Sequence, residues 1–165
     1  MSAITIHPIG MIHSPCTNAE KTPIQPSFAS GIPGTVEIFP AYEPGLADLD
    51  GFSHIWLIYA FDRAGETRLT VKPFLEDVPH GVFATRAPCR PNPIGLSLIR
   101  LVRREGCTLY VEDVDILDRT PLFDIKPYVG RFDRRDDVRC GWLDQIDEQA
   151  ALKRGRRDYS GPQGG

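Results

Sequence analysis

The 165-residue sequence lacks most of the motifs that announce a chemistry. Its four cysteines, Cys16, Cys89, Cys107 and Cys140, form no CxxC pair, and no histidine stands at zinc-finger spacing from them, so no structural metal is expected. There is no GxSxG, no HExxH, no Walker glycine loop and no GxGxxG after a strand, which removes the common hydrolase, metalloprotease and dinucleotide-binding classes. The longest apolar run, Ile55 to Phe61, is too short to cross a bilayer. The opening residues MSAITIHPIGMIHSP have neither a basic leader nor a continuous apolar stretch, and a cytoplasmic, reducing setting is expected. Positive charge is not in surplus either. The formal net charge of -3 argues against holding nucleic acid by bulk electrostatics and leaves only local clusters such as Arg86/Arg90 and Arg100/Arg103/Arg104 for phosphate contact.

What the chain has is turn chemistry. Fifteen glycines and fifteen prolines favour many short elements over long helices, and the length suits one domain. Strand candidates recur at Ile4 to Ile12, Gly34 to Phe39, Ile55 to Phe61, Arg68 to Lys72, Gly81 to Thr85, Leu96 to Arg103, Thr108 to Ile116 and Leu122 to Val129. That spacing predicts a mainly β fold, a sandwich or barrel. Leu109 and Val111 alternate in one phase and Val114 and Ile116 in another, so a bend or bulge is expected at Glu112–Asp113. Gly106 marks a hairpin between two antiparallel neighbours. A short helix is expected near Ala41 to Leu46, and LDQIDEQAALKR, acidic early and basic late, predicts a helix over Leu143 to Arg154. The final RGRRDYSGPQGG reads as a frayed tail.

Three polar, proline-stiffened segments interrupt the apolar strands: TPIQP (22–26), TRAPCRPNPIG (85–95) and DRTPLFDIKPY (118–128). Proline fixes φ and lowers the entropy lost when a loop orders around a ligand, although the same residues also serve as plain turn punctuation. Arg86 and Arg90 are presented by a turn, and Asn92 is fixed between two prolines. A placed guanidinium grips a carboxylate or phosphate through two bonds, whereas the bland alternative is a surface ion pair. Asp118 and Asp124 bracket the third segment and either accept bonds from a ligand or cap a turn. Cys89 with His54 or His80 as its base is a weaker alternative, because a lone cysteine is more often a small packing residue.

The segments IGMIHSP (9–15), PIQP (23–26), GFSHIWLIYAF (51–61), GVFATRAPCRPNPIGLSLIRL (81–101) and DRTPLFDIKPYV (118–129) occur in this order, and with them the chain resembles the TsaA-like (TrmO, formerly YaeB) family. Members are S-adenosylmethionine-dependent methyltransferases that act on N6-threonylcarbamoyladenosine beside the tRNA anticodon. The resemblance implies a small β-barrel (YaeB-like) domain over residues 4–130, a C-terminal extension over 131–165 with a helix and flexible tail, and a homodimer with the cofactor near the subunit interface. Longer bacterial members carry a further C-terminal domain, where this chain has only GRFDRRDDVRCGWLDQIDE and a tail.

Carried onto this sequence, the cofactor pocket would be lined by Pro23, Gln25, Phe61, Asp62, Arg86 and Leu96, closed by Leu117, Asp118, Thr120 and Pro121. Arg86, Arg90 and Asn92 are the candidate catalytic residues: an arginine neutralises a cofactor or substrate carboxylate, and Asp118 or Asp62 takes a ribose or amine. No residue stands out as an obligate general base. Two departures lie near the pocket, Asp62 where members commonly have His and Ala87-Pro88-Cys89 where they often have Ser-Pro-His. They keep open a different acceptor, or a barrel that binds S-adenosylmethionine or RNA without turnover. Contact with tRNA would fall to Arg131, Arg134 and Arg135, whose alternative is a solvated face interleaved with Asp133, Asp136 and Asp137.

Overall fold

The computed structural model describes residues 3–157. Six strands, β1 (Gly10–His13), β2 (Pro33–Ile38), β3 (His54–Ala60), β6 (Ile94–Glu105), β7 (Thr108–Glu112) and β8 (Thr120–Pro127), close into a barrel in the order β1-β2-β7-β6-β3-β8. Every pairing is antiparallel. A separate two-stranded ribbon joins β4 (Thr70–Val71) to β5 (His80–Gly81). The mainly β fold expected from turn spacing is therefore a barrel, not a sandwich.

Period-two alternation fills the interior. In β3, Ile55, Leu57 and Tyr59 point inward, and facing β6 contributes Gly95, Ser97, Ile99 and Leu101. Ile12, Val36, Ile38, Leu109, Val111 and Leu122 complete one continuous apolar core. β6 and β7 turn on Gly106, where Glu105 pairs with Thr108 and the glycine takes φ 56, confirming the predicted hairpin.

Several boundaries differ from the sequence expectation, each for a local reason. Pairing begins near Ile9, whose N–H donates to the Leu122 carbonyl at 2.8 Å, because Pro8 has no donor to extend the ladder to Ile4. The strand expected over Gly81 to Thr85 stops at once, since a 3-10 turn, Val82–Ala84, carries Val82 inward and Thr85 Oγ1 donates back to its carbonyl at 2.9 Å. β7 ends at Glu112, and Asp113 takes φ 67 with its carboxylate accepting the Gly31 N–H at 2.8 Å. That is the expected bend, and a register shift between Leu101 and Arg103 lies on the partner strand.

Near the C-terminus, a 3-10 turn over Gly141–Gln145 and a helix, α2 (Glu148–Arg156), replace the single expected helix. Asp147 divides them by capping the Ala150 N–H at 2.9 Å, an N-cap role that aspartate fills better than a helix interior. A single helical turn, α1 (Gly130–Asp133), follows β8. Of the expected frayed tail, residues 154–157 are ordered and docked: Gly155 is buried and the Arg157 guanidinium lies 4.0 Å from the Phe74 ring centroid. The remainder, 158–165, lies outside the described residues.

The barrel order brings the ends of β1, β3 and β7 and the starts of β2, β6 and β8 to one rim, as the pairs His13↔Thr35, Ile12↔Thr120, Pro33↔Glu112 and Ala60↔Ile94 require. Loops 14–32, 61–93 and 113–119 all leave that rim. The loops that carry the polar segments, far apart in sequence, start beside one another.

Candidate functional site

Arg86 and Gln25, 61 residues apart, meet above the rim: the guanidinium Nη1 donates to the Gln25 side-chain oxygen. Pro23 is buried just before Gln25, and Gln25 precedes the 3-10 turn Pro26–Phe28. Arg86 itself stays exposed. Its neighbour Arg90 turns inward, with Nη1 donating to the Thr85 carbonyl at 3.1 Å and the Ala87 carbonyl at 3.2 Å. Arg90 thus braces the loop that displays Arg86.

A second group forms where β3 leaves the barrel. Ala60, Phe61, Asp62, Asn92, Ile94 and Phe123 line an open groove of about 230 Å³. The Phe61 N–H donates to the Pro93 carbonyl at 2.7 Å, tying the two loops together. Asn92 is exposed at this groove. Leu96, 47% exposed, lies on the outer face of β6 two residues beyond Ile94 and therefore on the same side.

Arg63, which the sequence did not mark, links the second group to the third. Its Nε donates to Asp62 at 3.3 Å and its Nη2 to the buried Thr120 hydroxyl at 2.8 Å. Thr120 Oγ1 in turn donates to the Leu117 carbonyl at 2.7 Å. Asp118 accepts the Ser14 N–H at 3.2 Å and lies 3.4 Å from His13 Nδ1. Pro121 stands opposite Met11 in the ladder. The structure thus pairs Gln25 with Arg86, groups Phe61, Asp62 and Asn92, and ties Asp62 through Arg63 to Thr120.

Beneath the rim lies a polar chain that sequence reasoning missed, with Tyr59 and Ser97 buried and Asp115 half-buried at its end. The Tyr59 hydroxyl is 3.0 Å from Ser97 Oγ, and Ser97 Oγ donates to Asp115 Oδ1 at 2.7 Å. Tyr59 and Ser97 are almost wholly buried. Burial, which disfavours the ionised form, pushes the Asp115 carboxyl up to about 7 and outweighs the opposing pull of Ser97 and Arg86. Burial also raises the Tyr59 phenol well above its ordinary range, with the charge of Asp115 acting in the same direction. Gly95 makes room for this arrangement: an added Cβ would fall 2.2 Å from the Tyr59 ring. The available signal was a polar side chain at an inward position, Ser97 between Gly95 and Ile99, together with Tyr59 closing the Ile55–Leu57 phase.

The thiol alternative gains no contact here. His54 Nδ1 is 2.9 Å from Ser53 at the opposite rim, and His80 bonds Glu76 and stacks on Trp142, so the described side-chain bonds of both histidines go to partners other than Cys89. Cys16, the buried thiol, is shifted upward by burial, against nucleophile character. Among the described residues no group of three His, Cys, Asp or Glu side chains is placed to hold a metal ion.

A family model described as the tRNA-methyltransferase O N-terminal domain matches residues 11–134, the stretch that contains every barrel strand but the first residue of β1. The chain belongs to that family, a family of S-adenosylmethionine-dependent methyltransferases. A Pyrococcus abyssi protein named a probable S-adenosyl-L-methionine-binding protein is 57% identical over 142 residues, covering 86% of this chain and 77% of that protein. The mouse tRNA (adenine(37)-N6)-methyltransferase is 39% identical over 133 residues, covering 76% of this chain and 31% of the mouse protein. A crystal structure of TrmO from Pseudomonas aeruginosa superposes with a TM-score of 0.72 at 37% identity, over 86% of this chain and 63% of that one. This chain therefore spans most of the archaeal relative but about a third of the mouse enzyme.

The family's cofactor is S-adenosylmethionine, and the residues at the rim suit it. Its methionyl end carries a carboxylate and an ammonium, its other end a ribose diol and a purine. The rim offers an exposed guanidinium in Arg86, carboxylates in Asp62 and Asp118, and an apolar wall in Phe61 and Leu96. Glycine-rich phosphate cradles are not required, because the ligand has no phosphate.

Proposed function

We propose that this chain transfers a methyl group from S-adenosylmethionine to N6 of N6-threonylcarbamoyladenosine at position 37 of tRNA. The observation that carries the reading is the meeting of Gln25 with Arg86 on loops that leave the same barrel rim as the Phe61–Asp62–Asn92 groove, within a tRNA-methyltransferase O domain. Relatives named for N6 methylation of adenine 37 support the position and the atom.

Bound cofactor supplies an activated methyl on a sulfonium, so the protein's task is alignment and exclusion of water. Arg86 takes the methionyl carboxylate, oriented by Gln25 and by a loop that Arg90 holds from within. Asp62 and Asp118 accept from the ammonium or ribose hydroxyls, with Leu117, Thr120 and Pro121 fixing the wall between them through Arg63. Pro23 stiffens the loop that presents Gln25, while Phe61 and Leu96 cover the apolar part of the ligand. Asn92, exposed between Pro91 and Pro93, meets the acceptor base.

The outer face of β6, where Ile94, Leu96 and Val102 are 39–51% exposed, is the surface on which two copies would pair as a homodimer. Phosphates would be met by local arginines rather than by the whole surface, with Arg131, Arg134 and Arg135 exposed and Arg134 2.7 Å from Asp136. Binding would then weaken steeply with salt. A tRNA substrate suits a cytoplasmic setting; among the described residues no helix is long and apolar enough to cross a membrane.

The test compares tRNA carrying threonylcarbamoyladenosine with tRNA lacking it, using labelled S-adenosylmethionine and nucleoside mass spectrometry. Transfer to the modified tRNA alone is expected. Equal labelling of both would change the acceptor, and cofactor binding without transfer to either would leave a binding module.

A further inference from the structure

The C-terminal segment after the family domain does not merely trail from the barrel. The domain match ends at residue 134, and the buried apolar core includes no residue beyond it. Yet residues 141–157 touch both loops that carry the proposed cofactor contacts.

On one side, the Ile24 N–H donates to the Gly155 carbonyl at 3.0 Å, one residue before Gln25. Gly155 is buried in α2, and an added Cβ would fall 2.5 Å from the Phe28 ring, so the helix is seated on the 3-10 turn that follows Gln25. Glycine late in a helix is costly without such a reason. Arg157, the C-cap at φ 53, donates from Nη1 to the Ala19 carbonyl and places its guanidinium over the Phe74 ring. On the other side, Trp142 Nε1 donates to the Ala84 carbonyl at 2.8 Å, two residues before Arg86, while its ring stacks on His80 at 4.7 Å. Arg154 Nη2 reaches Asp77, which also pairs with Lys72, so α2 is fastened to the 72–80 stretch as well.

We propose that residues 141–157 form a strap that preorganises the Gln25 and Arg86 loops for S-adenosylmethionine, with Gly155 and Trp142 as its positioning residues. The proposal rests on the cofactor site assigned above to those loops. A loop that is already ordered loses less freedom when ligand binds, so releasing the strap weakens binding without opening the barrel. Gln25 and Arg86 are fixed to each other, and each has its backbone fastened within two residues to the same C-terminal segment.

The experiment uses the full chain with Gly155→Val and Trp142→Ala, and Lys153→Ala, exposed on the same helix, as control. S-adenosylmethionine is titrated by calorimetry, and hydrogen exchange is followed without ligand. Each strap variant is expected to raise Kd about tenfold, the equivalent of about 1.4 kcal/mol. Exchange should rise in peptides covering 17–30 and 80–90 and stay at the wild-type level in β3 and β6. Wild-type Kd in both variants overturns the proposal, as does faster exchange in β3 and β6, which would make the segment part of the barrel's own stability. If the wild type itself binds no S-adenosylmethionine, the cofactor assignment fails, and the exchange pattern of the two loops still decides whether the segment straps them.

Discussion

Replacing Asp115 with Asn tests the polar chain most directly. The carboxyl accepts from Ser97 Oγ, and Ser97 is within hydrogen-bond distance of Tyr59, so the groups that face it are two neutral hydroxyls, the Cys16 thiol and the more distant Arg86 guanidinium. Its pKa rises from 3.8 to about 7 on folding. An acid whose pKa is raised binds its proton more tightly in the folded state. The stabilisation is thus fully present below the unfolded value and is lost as pH rises through the folded one. Between about pH 4 and 7 the slope is about -1.4 kcal/mol per pH unit, and the curve flattens above 7. Asn keeps an oxygen for Ser97 and carries no charge.

Relative to the variant, the wild type should lose about 3 kcal/mol between pH 5 and 8, or roughly 10 °C in Tm for a chain of this length. Subtracting the variant's curve removes the contributions of groups that the change leaves unperturbed. Urea titrations of both proteins at half-unit pH steps measure the difference. Parallel curves across that range would refute the burial argument, and a wild type that gained stability with pH would show that Arg86 holds the carboxylate ionised.

Arg86→Ala removes the proposed carboxylate clamp and should weaken S-adenosylmethionine binding by about 10- to 100-fold, as for a charge-assisted bond, with the fold retained; calorimetry beside circular dichroism reads both. Arg90→Ala should act differently, because its guanidinium bonds its own loop: the expected sign is faster exchange over 85–90 together with a smaller loss of affinity than Arg86→Ala. Gly95→Ala puts a methyl 2.2 Å from the Tyr59 ring in a closed interior and should cost about 1–3 kcal/mol in urea unfolding, whereas unchanged stability would mean that the ring yields freely.

The strands were legible because each buries alternate residues, and alternation is a local property that survives in sequence. Ile55, Leu57 and Tyr59 against Gly95, Ser97, Ile99 and Leu101 is such a pattern. The loops were legible as proline-stiffened polar interruptions, and their resemblance to a known family supplied the candidate pocket. Arg63 was missed because it is one arginine among many, and only closure of the barrel puts Thr120 2.8 Å from it. Ser97 and Asp115 were missed because spacing shows a polar residue turned inward but not what it meets.

The mainly β fold, the hairpin at Gly106, the bend at Asp113 and the family can all be read along the chain, since each depends on near neighbours or on a linear motif. Closure of the strands into one barrel, the meeting of Gln25 with Arg86 across 61 residues and the seating of the C-terminal helix on Phe28 emerge only when the chain is folded. Those outcomes depend on which strand ends share a rim and how closely two backbones approach, and such distances are set by packing of the whole barrel rather than by any segment of it.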